Sequence, residues 1–414
     1  MAYRELKKYY YESNENYARE YLERFNSENT VRINFQIGDK QAFFIQTVDV
    51  MKFAFEIVKL DKQIGDLCNK LPGVAIHQYS KKCLIDEIVI TNKIEGVHSS
   101  RKEIGEALDI LEAQTRNKGK RQRFLSLVNK YLKLITREEI SLQNCEDIRK
   151  IYDEVFLEEV IRENPTNRPD GELFRKGMVT VHSETDKVIH TGLMPEKKIN
   201  ESMMLALQFL NDDSIEQLFR VCLFHYLIEY IHPFYDGNGR LGRFILSYGI
   251  SNTLTPLISF RISETIKENI NEYYKAFKTC NDQRNLGDLT PFLLMQLEMI
   301  FKAMKELVNS LAEKVITWNK YEQAIEQRCQ DKELLRLYSL LIQAALFSEQ
   351  GISMMELQQN MDCSQYVIKN LMKQIPSEMI VIKIIKKFKF YAANLEKLNT
   401  IILEEAMGTI ATAE

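Results

Sequence analysis

Residues 217–243 read QLFRVCLFHYLIEYIHPFYDGNGRLGR, and the fold turns on where that stretch divides. Up to Ile231, the residues Leu218, Val221, Cys222, Phe224, Leu227, Ile228 and Ile231 recur at helical spacing and form a broad buried face. Pro233 stops that helix, because the residue before a proline is biased away from helical geometry. An apolar pattern resumes at Leu241, Phe244, Ile245 and Tyr248. Residues 232–243, HPFYDGNGRLGR, therefore form a loop between two helices that ends on the first turn of the second. Gly237 and Gly239 let backbone N–H groups converge beside a helix N-terminus, an anion cradle suited to phosphate. Asn238 adds an amide donor, and Arg240 and Arg243 offer planar, permanently charged forks one turn apart. Asp236 supplies one hard carboxylate, which suits Mg²⁺ shared with a polyphosphate rather than an all-protein cage. His232, with an ordinary pKa of about 6.5, can take a proton from an attacking hydroxyl. Singly, each residue has an ordinary structural reading as a turn, a helix end or a solvated side chain. Together they describe group transfer from a nucleotide.

The stretch resembles the HPFxxGNGRxxR signature of the Fic family, whose members transfer AMP from ATP to a hydroxyl side chain of a target protein. The resemblance implies that His232 is the base and that Asp236 holds Mg²⁺. It further implies that Gly237, Asn238, Gly239, Arg240 and Arg243 bind the phosphates of ATP. More loosely, Tyr273 and Tyr274 in ISETIKENINEYYKAF resemble the tyrosines that line the family's adenine pocket, although a packed helix face accounts for them equally well. His225, seven residues before His232, reads as a buried, hydrogen-bonded core residue rather than a metal ligand.

Upstream, residues 91–96 read TNKIEG after the apolar LIDEIVI. Thr91 and Glu95 fall on one helix face, and Gly96 is a natural terminator. The segment resembles the family's inhibitory helix (about 80–96), whose Glu pairs with the second arginine of the signature. Glu95 is thereby assigned to Arg243, and ATP would bind in a non-productive pose while they pair. A different use, in which Glu95 orients a water that removes AMP from a modified target, stays open. Between these segments, MVTVH and KVIHT flank the polar turn SETD, so 178–191 reads as a β-hairpin. It resembles the family's flap, which aligns an extended target segment by strand addition. His182 and His190 read as turn or cross-strand residues.

The remaining sequence sets bounds. Its 414 residues, 45% hydrophobic, can build two or three domains with cores of their own. A net charge of −3 gives no global pull toward nucleic acid. The polar, aromatic start has no signal-peptide pattern, no apolar run approaches a membrane span, and seven cysteines lack metal-ligand spacing. These features point to the cytoplasm, with no membrane partner. Helices are expected over 51–67, 100–113, 120–134, 145–155, 199–210 and 290–316, the last continuing through 328.

Beyond that, 333–347 reads as a helix, 351–375 as helix-turn-helix, and MIVIKIIKKFKFYAA as the two strands of a wing. Between 351 and 391, six lysines face three acids, which permits phosphate contact, yet no arginine offers bidentate base reading. A DNA, a protein partner or a second copy of the chain (a homodimer) each remains open for this tail, of a kind common on bacterial Fic proteins. The expected fold is mainly α: a helical-bundle core with a hairpin flap, and a winged helix-turn-helix. The expected organisation is an N-terminal helical region (1–118), the core (119–316), a helical connector (317–332), the winged helix (333–396) and a tail (397–414). Two functions follow: a Mg²⁺-dependent adenylyltransferase acting on Ser, Thr or Tyr of a protein, itself included, or a nucleotide-sensing DNA-binding regulator.

Overall fold

The computed structural model describes residues 3–112, 123–182, 188–385, 388–400 and 402. It opens with α1 (Leu6–Glu12) and α2 (Asn14–Asn26), then an antiparallel pair, β1 (Thr30–Ile37) and β2 (Lys40–Ile45). Helices α3 (Val48–Cys68), α4 (Gly73–Ile94), α5 (Arg101–Glu112), α6 (Leu125–Thr136), α7 (Cys145–Val155) and α8 (Leu157–Glu163) follow. A second hairpin, β3 (Thr180–His182) and β4 (Val188–Thr191), precedes α9 (Glu196–Leu210), α10 (Gln217–Ile231) and α11 (Asn238–Thr253). After α12 (Ile262–Glu268) and α13 (Ile270–Asn281) comes the long α14 (Thr290–Glu326). The chain ends in α15 (Lys332–Phe347), β5 (Ile352–Ser353), α16 (Met354–Met361), α17 (Gln365–Met372), β6 (Ile380–Ile385) and β7 (Phe388–Ala393). It is a mainly α-helical protein, as its periodicity predicts.

Two compact units emerge: residues 1–61 with 84–305, and residues 62–83 with 306–414. The first is built around α10 and α11. Helix α10 is apolar on every side and buried from Leu218 to Ile228, and α11 is buried from Asn238 to Ser251. A helix hydrophobic all round belongs at a core's centre, and α10 packs against both α9 and α11. This central pair fixes the loop between them against the rest of the unit.

One element escapes the expectation of an all-helical N-terminal region. In β1, Ile33, Phe35 and Ile37 are buried while Arg32, Asn34 and Gln36 are exposed, the period-two alternation of a half-buried strand. Gly38, at φ +62°, makes the turn into β2. The polar composition of the preceding stretch hides a pattern that is present in the sequence. In the other hairpin, Thr180 faces Thr191 and Val181 faces His190. Its SETD turn and Lys187 lie outside the described residues, as do 113–122, 386–387 and 403–414.

In the second unit, α14 runs without a break into the expected connector. Next, α15, α16 and α17 pack with a three-stranded antiparallel sheet of order β5-β7-β6. Leu337, Leu341, Phe347, Leu357, Ile368 and Tyr391 are buried there. A reciprocal cap opens α16: Ser353 Oγ accepts from Glu356 N at 3.2 Å, and Glu356 Oε2 accepts from Ser353 N at 2.8 Å. The elements here run helix, strand, two helices, two strands. Lys369, Lys373, Lys383 and Lys389 are exposed.

Candidate active site

Helix α10 ends at His232, whose backbone is left-handed (φ +52°) although its N–H still bonds Ile228 O at 2.9 Å. A non-glycine residue holds such a conformation only where its surroundings impose it. Here Arg175, fully buried, does so. Its Nε donates to His232 O and its Nη2 to Leu193 O, both at 2.9 Å, and Nη1 donates to Gly177 O. One side chain thus ties the His232 turn to both roots of the β3–β4 hairpin. Gly192 is needed for this approach, since a Cβ there would lie 2.3 Å from Arg175 Nη2 and 2.9 Å from His232 Cβ.

The loop after His232 is equally fastened. Tyr152 stacks on Phe234 with ring centroids 3.6 Å apart and donates its hydroxyl to Asp236 O at 3.0 Å. Asn238 accepts from Phe234 N at 2.9 Å and donates to Phe234 O at 2.8 Å. The sequence offers Asn238 as a donor to phosphate; in the structure its first task is closing the loop. Gly237, at φ +81°, then starts α11.

The two arginines of α11 differ in state. Both are 1% exposed. Arg240 Nε and Nη2 have no hydrogen-bond partner among the described residues. Buried cationic donors without an acceptor are costly, and an anion at the helix N-terminus would satisfy them. Arg243 is instead engaged by the end of α4. Its Nε donates to Thr91 Oγ1 and its Nη2 to Glu95 Oε1, each at 2.8 Å. The Glu95 carboxylate also lies against the start of α11, since a Cβ on Gly239 would come within 2.3 Å of its Oε1. It thus sits at the N-terminus of α11. Burial raises its pKa, but Arg243 outweighs burial and holds it below the usual carboxylate range. One turn and two turns earlier on the same face are Thr91 and Glu87. Glu87 is buried and accepts from Ser263 Oγ at 2.6 Å and Ser263 N at 3.0 Å, fastening α4 to α12.

His232 lies at the mouth of the cradle with its side chain 13% exposed. Burial, aided by His190 and Arg175, pushes it down to about 4, so it is neutral at pH 7 and able to accept a proton. Asp236 is half-buried, and its Oδ1 accepts from Gly237 N at 2.5 Å. No group of three or more His, Cys, Asp or Glu that could hold a metal occurs among the described residues. A single carboxylate at the rim of an anion cradle fits Mg²⁺ brought with a polyphosphate. Of the two tyrosines, Tyr273 is buried with its hydroxyl 2.7 Å from His225 Nε2, whereas Tyr274 is 38% exposed and alone has an open face. His225 is thus a hydrogen-bonded core residue.

Arg175, Gly192, Glu87 and Glu229 are not singled out by the sequence reading. Only Glu229 left a signal, as the one carboxyl in a mostly apolar helix.

The fold and loop define a helical core with two buried arginines in the first turns of a central helix and a neutral histidine beside them. Residues 143–248 match the Fic/DOC family, and the chain carries a Fic domain over that span. Over 156 residues the chain is 27% identical to protein adenylyltransferase fic-1 of Caenorhabditis elegans, covering 36% of this chain and 28% of that protein. The Caenorhabditis briggsae fic-1 is 26% identical over 154 residues, with the same shares covered. The chain therefore spans little more than a quarter of these curated relatives. Among solved structures, a Fic family protein from Desulfovibrio desulfuricans G20 is similar at TM-score 0.47 and 19% identity, covering 82% of this chain and 96% of that one. No helix among the described residues is long and apolar enough to cross a membrane.

Proposed function

We propose that this chain is a protein adenylyltransferase held inactive by Glu95. The observation that carries the reading is the contrast between Arg240, with orphaned buried donors, and Arg243, closed off by a carboxylate lying in the same cradle. ATP phosphates would lie on the N-terminus of α11 against Arg240. With Glu95 seated, Arg243 is withheld from them, so the nucleotide binds without its reactive geometry. Once Glu95 leaves, both arginines grip the phosphate chain and orient the α-phosphate for in-line attack. A Ser, Thr or Tyr hydroxyl of the target gives its proton to neutral His232 as its oxygen bonds the α-phosphate. The bond to the β-phosphate oxygen breaks, and pyrophosphate leaves. Asp236 would hold Mg²⁺, which when bound neutralises phosphate charge. The hairpin at 178–191, rooted on Arg175, would align the target strand beside His232.

The test is label transfer from α-labelled ATP with Mg²⁺ in host lysate, by the Glu95→Gly and the Glu95→Gly/His232→Ala variants. Protein labelling by the first and at least a 100-fold loss in the second, roughly the weight of a general base, is expected. Label that persists without His232 would sink the mechanism.

A further inference from the structure

Glu229 has no part in the mechanism so far, yet it stands between the base and the arginine clamp. It lies on α10 one turn before His232, with its side chain 14% exposed. Its Oε2 is 3.8 Å from His232 Nδ1, and its own backbone carbonyl is 3.3 Å from the same nitrogen. Oε1 is buried without a hydrogen-bond partner among the described residues. That oxygen and His225 Nδ1 crowd Gly242, where a Cβ would come within 2.7 Å and 3.0 Å of them. Glu229 is faced by His225 and His232, by Arg243 from α11, by Glu95 at the end of α4, and by Tyr273 from α13. Three carboxyls therefore face one guanidinium, Glu87 from α4 being the third, and Glu95 holds the direct bond. Like charges in such a buried setting do not both ionise readily. Burial first, then Glu95, pushes Glu229 up to about 8, against the opposing pull of Arg243.

We propose that Glu229 is the positioning carboxyl of His232 and that the seating of Glu95 on Arg243 sets its charge. While Glu95 is seated, Glu229 keeps its proton and His232 is a weak base. When Glu95 leaves, Glu229 loses its like-charged neighbour, keeps the attraction of Arg243 and ionises. Its side chain and its carbonyl then both accept at Nδ1, which places the imidazole proton there and leaves the Nε2 lone pair for the incoming hydroxyl. Seated Glu95 exerts a weak upward pull on His232, and the new charge beside Nδ1 replaces it with a stronger one, raising the proton affinity of His232 toward neutrality, where a general base is most effective. A single displacement thus frees the phosphate clamp and strengthens the base. The catalytic consequence rests on the adenylyltransferase reading; the charge coupling does not.

The experiment is an NMR titration of the His232 ring in four proteins: the parent, Glu95→Gly, Glu229→Gln, and the double variant. Glutamine has the shape of the neutral carboxyl, so the closed arrangement is preserved. In the Glu95→Gly background, Glu229→Gln should lower the His232 midpoint by on the order of one to two pH units. In the parent it should barely move the midpoint, because Glu229 is already neutral there. Ring nitrogen shifts in Glu95→Gly should report the Nδ1–H tautomer. Equal shifts in both backgrounds, no shift in either, or an Nε2–H tautomer would overturn the proposal. The pH profile of AMP transfer, run in parallel, should show the acid limb of Glu95→Gly moving to lower pH in the double variant. Absence of transfer in every variant, with the titration difference intact, refutes the adenylyltransferase reading and supports the coupling. Transfer with no titration difference does the reverse.

Discussion

Replacing Glu95 by Gly removes the carboxylate that withholds Arg243, and the size of the resulting activation can be worked from the geometry. The pair bonds at 2.8 Å, with the arginine side chain 2% and the glutamate side chain 25% exposed. Charge centres about 4 Å apart attract by about 4 kcal/mol at an effective dielectric of ~20. Desolvation of the carboxylate offsets part of this, leaving roughly 3 kcal/mol in favour of the seated state. Since about 1.4 kcal/mol is a factor of ten, the clamp-competent population rises about 100-fold when the carboxylate is removed. The assay is the initial rate of label transfer from α-labelled ATP, with Mg²⁺ and matched protein concentrations. An increase of roughly 30- to 200-fold is expected. Glu95→Gln, which keeps a neutral hydrogen bond, should fall between the parent and Glu95→Gly. A rise of less than about threefold in a variant whose melting temperature matches the parent's would refute the reasoning, because the pair would then not be what limits the reaction.

Thr91→Val removes the acceptor of Arg243 Nε without touching Glu95. Loss of one such bond, about 1 kcal/mol, should give a fivefold activation in the same assay. Gly192→Ala introduces a methyl 2.9 Å from His232 Cβ and 2.3 Å from Arg175 Nη2. In the Glu95→Gly background it should lower kcat by at least about tenfold while nucleotide affinity stays within twofold; an unaltered kcat would show that the hairpin does not set the base. Glu87 is pushed up to about 7 by burial. A raised carboxyl favours the folded state below its unfolded pKa and loses that contribution as pH rises through the folded value, so it lowers stability between about pH 4.5 and 7. Denaturant melts of Glu87→Gln should therefore show a smaller loss of stability from pH 5 to 8 than the parent, and parallel curves would contradict this.

The helical core was legible because the long elements carry strong periodicity, and the motif loop because Pro233 and two glycines punctuate it so sharply. The short helices and two strands near the end of the chain were legible for a similar reason: apolar residues at helical spacing in 354–371, followed by a stretch rich in Ile and Phe. What stayed hidden depends on distance in the chain. Arg175 occurs in an unremarked GELFRKG stretch, and nothing local says that its guanidinium bonds carbonyls at 177, 193 and 232. Gly192 reads as an ordinary strand end, because its role is the space it leaves for His232. Tyr273 and Tyr274 look alike in sequence, and the phase of α13 alone sends one to His225 and leaves the other open. Residue type and spacing report what a side chain offers; they do not report which distant backbone it meets.

The position of Glu95 on its helix bears on how the site can open. Glu95 follows the last residue of α4, in a turn where Val97 N bonds Asn92 O at 2.9 Å and Gly96 takes φ +73°. A carboxylate at a helix C-terminus is disfavoured by roughly 0.3–1 kcal/mol, and one at a helix N-terminus is favoured by a similar amount. Glu95 occupies both places at once, the end of α4 and the start of α11, so the two helix terms nearly cancel. What keeps it seated is Arg243. Helix α4 has an independent fastening in Glu87 on Ser263, so Glu95 can swing out of the cradle while the helix stays docked. A phosphate competing for Arg243 thus works against one ion pair rather than against the fold, and a shift of a few kcal/mol suffices to turn the site on.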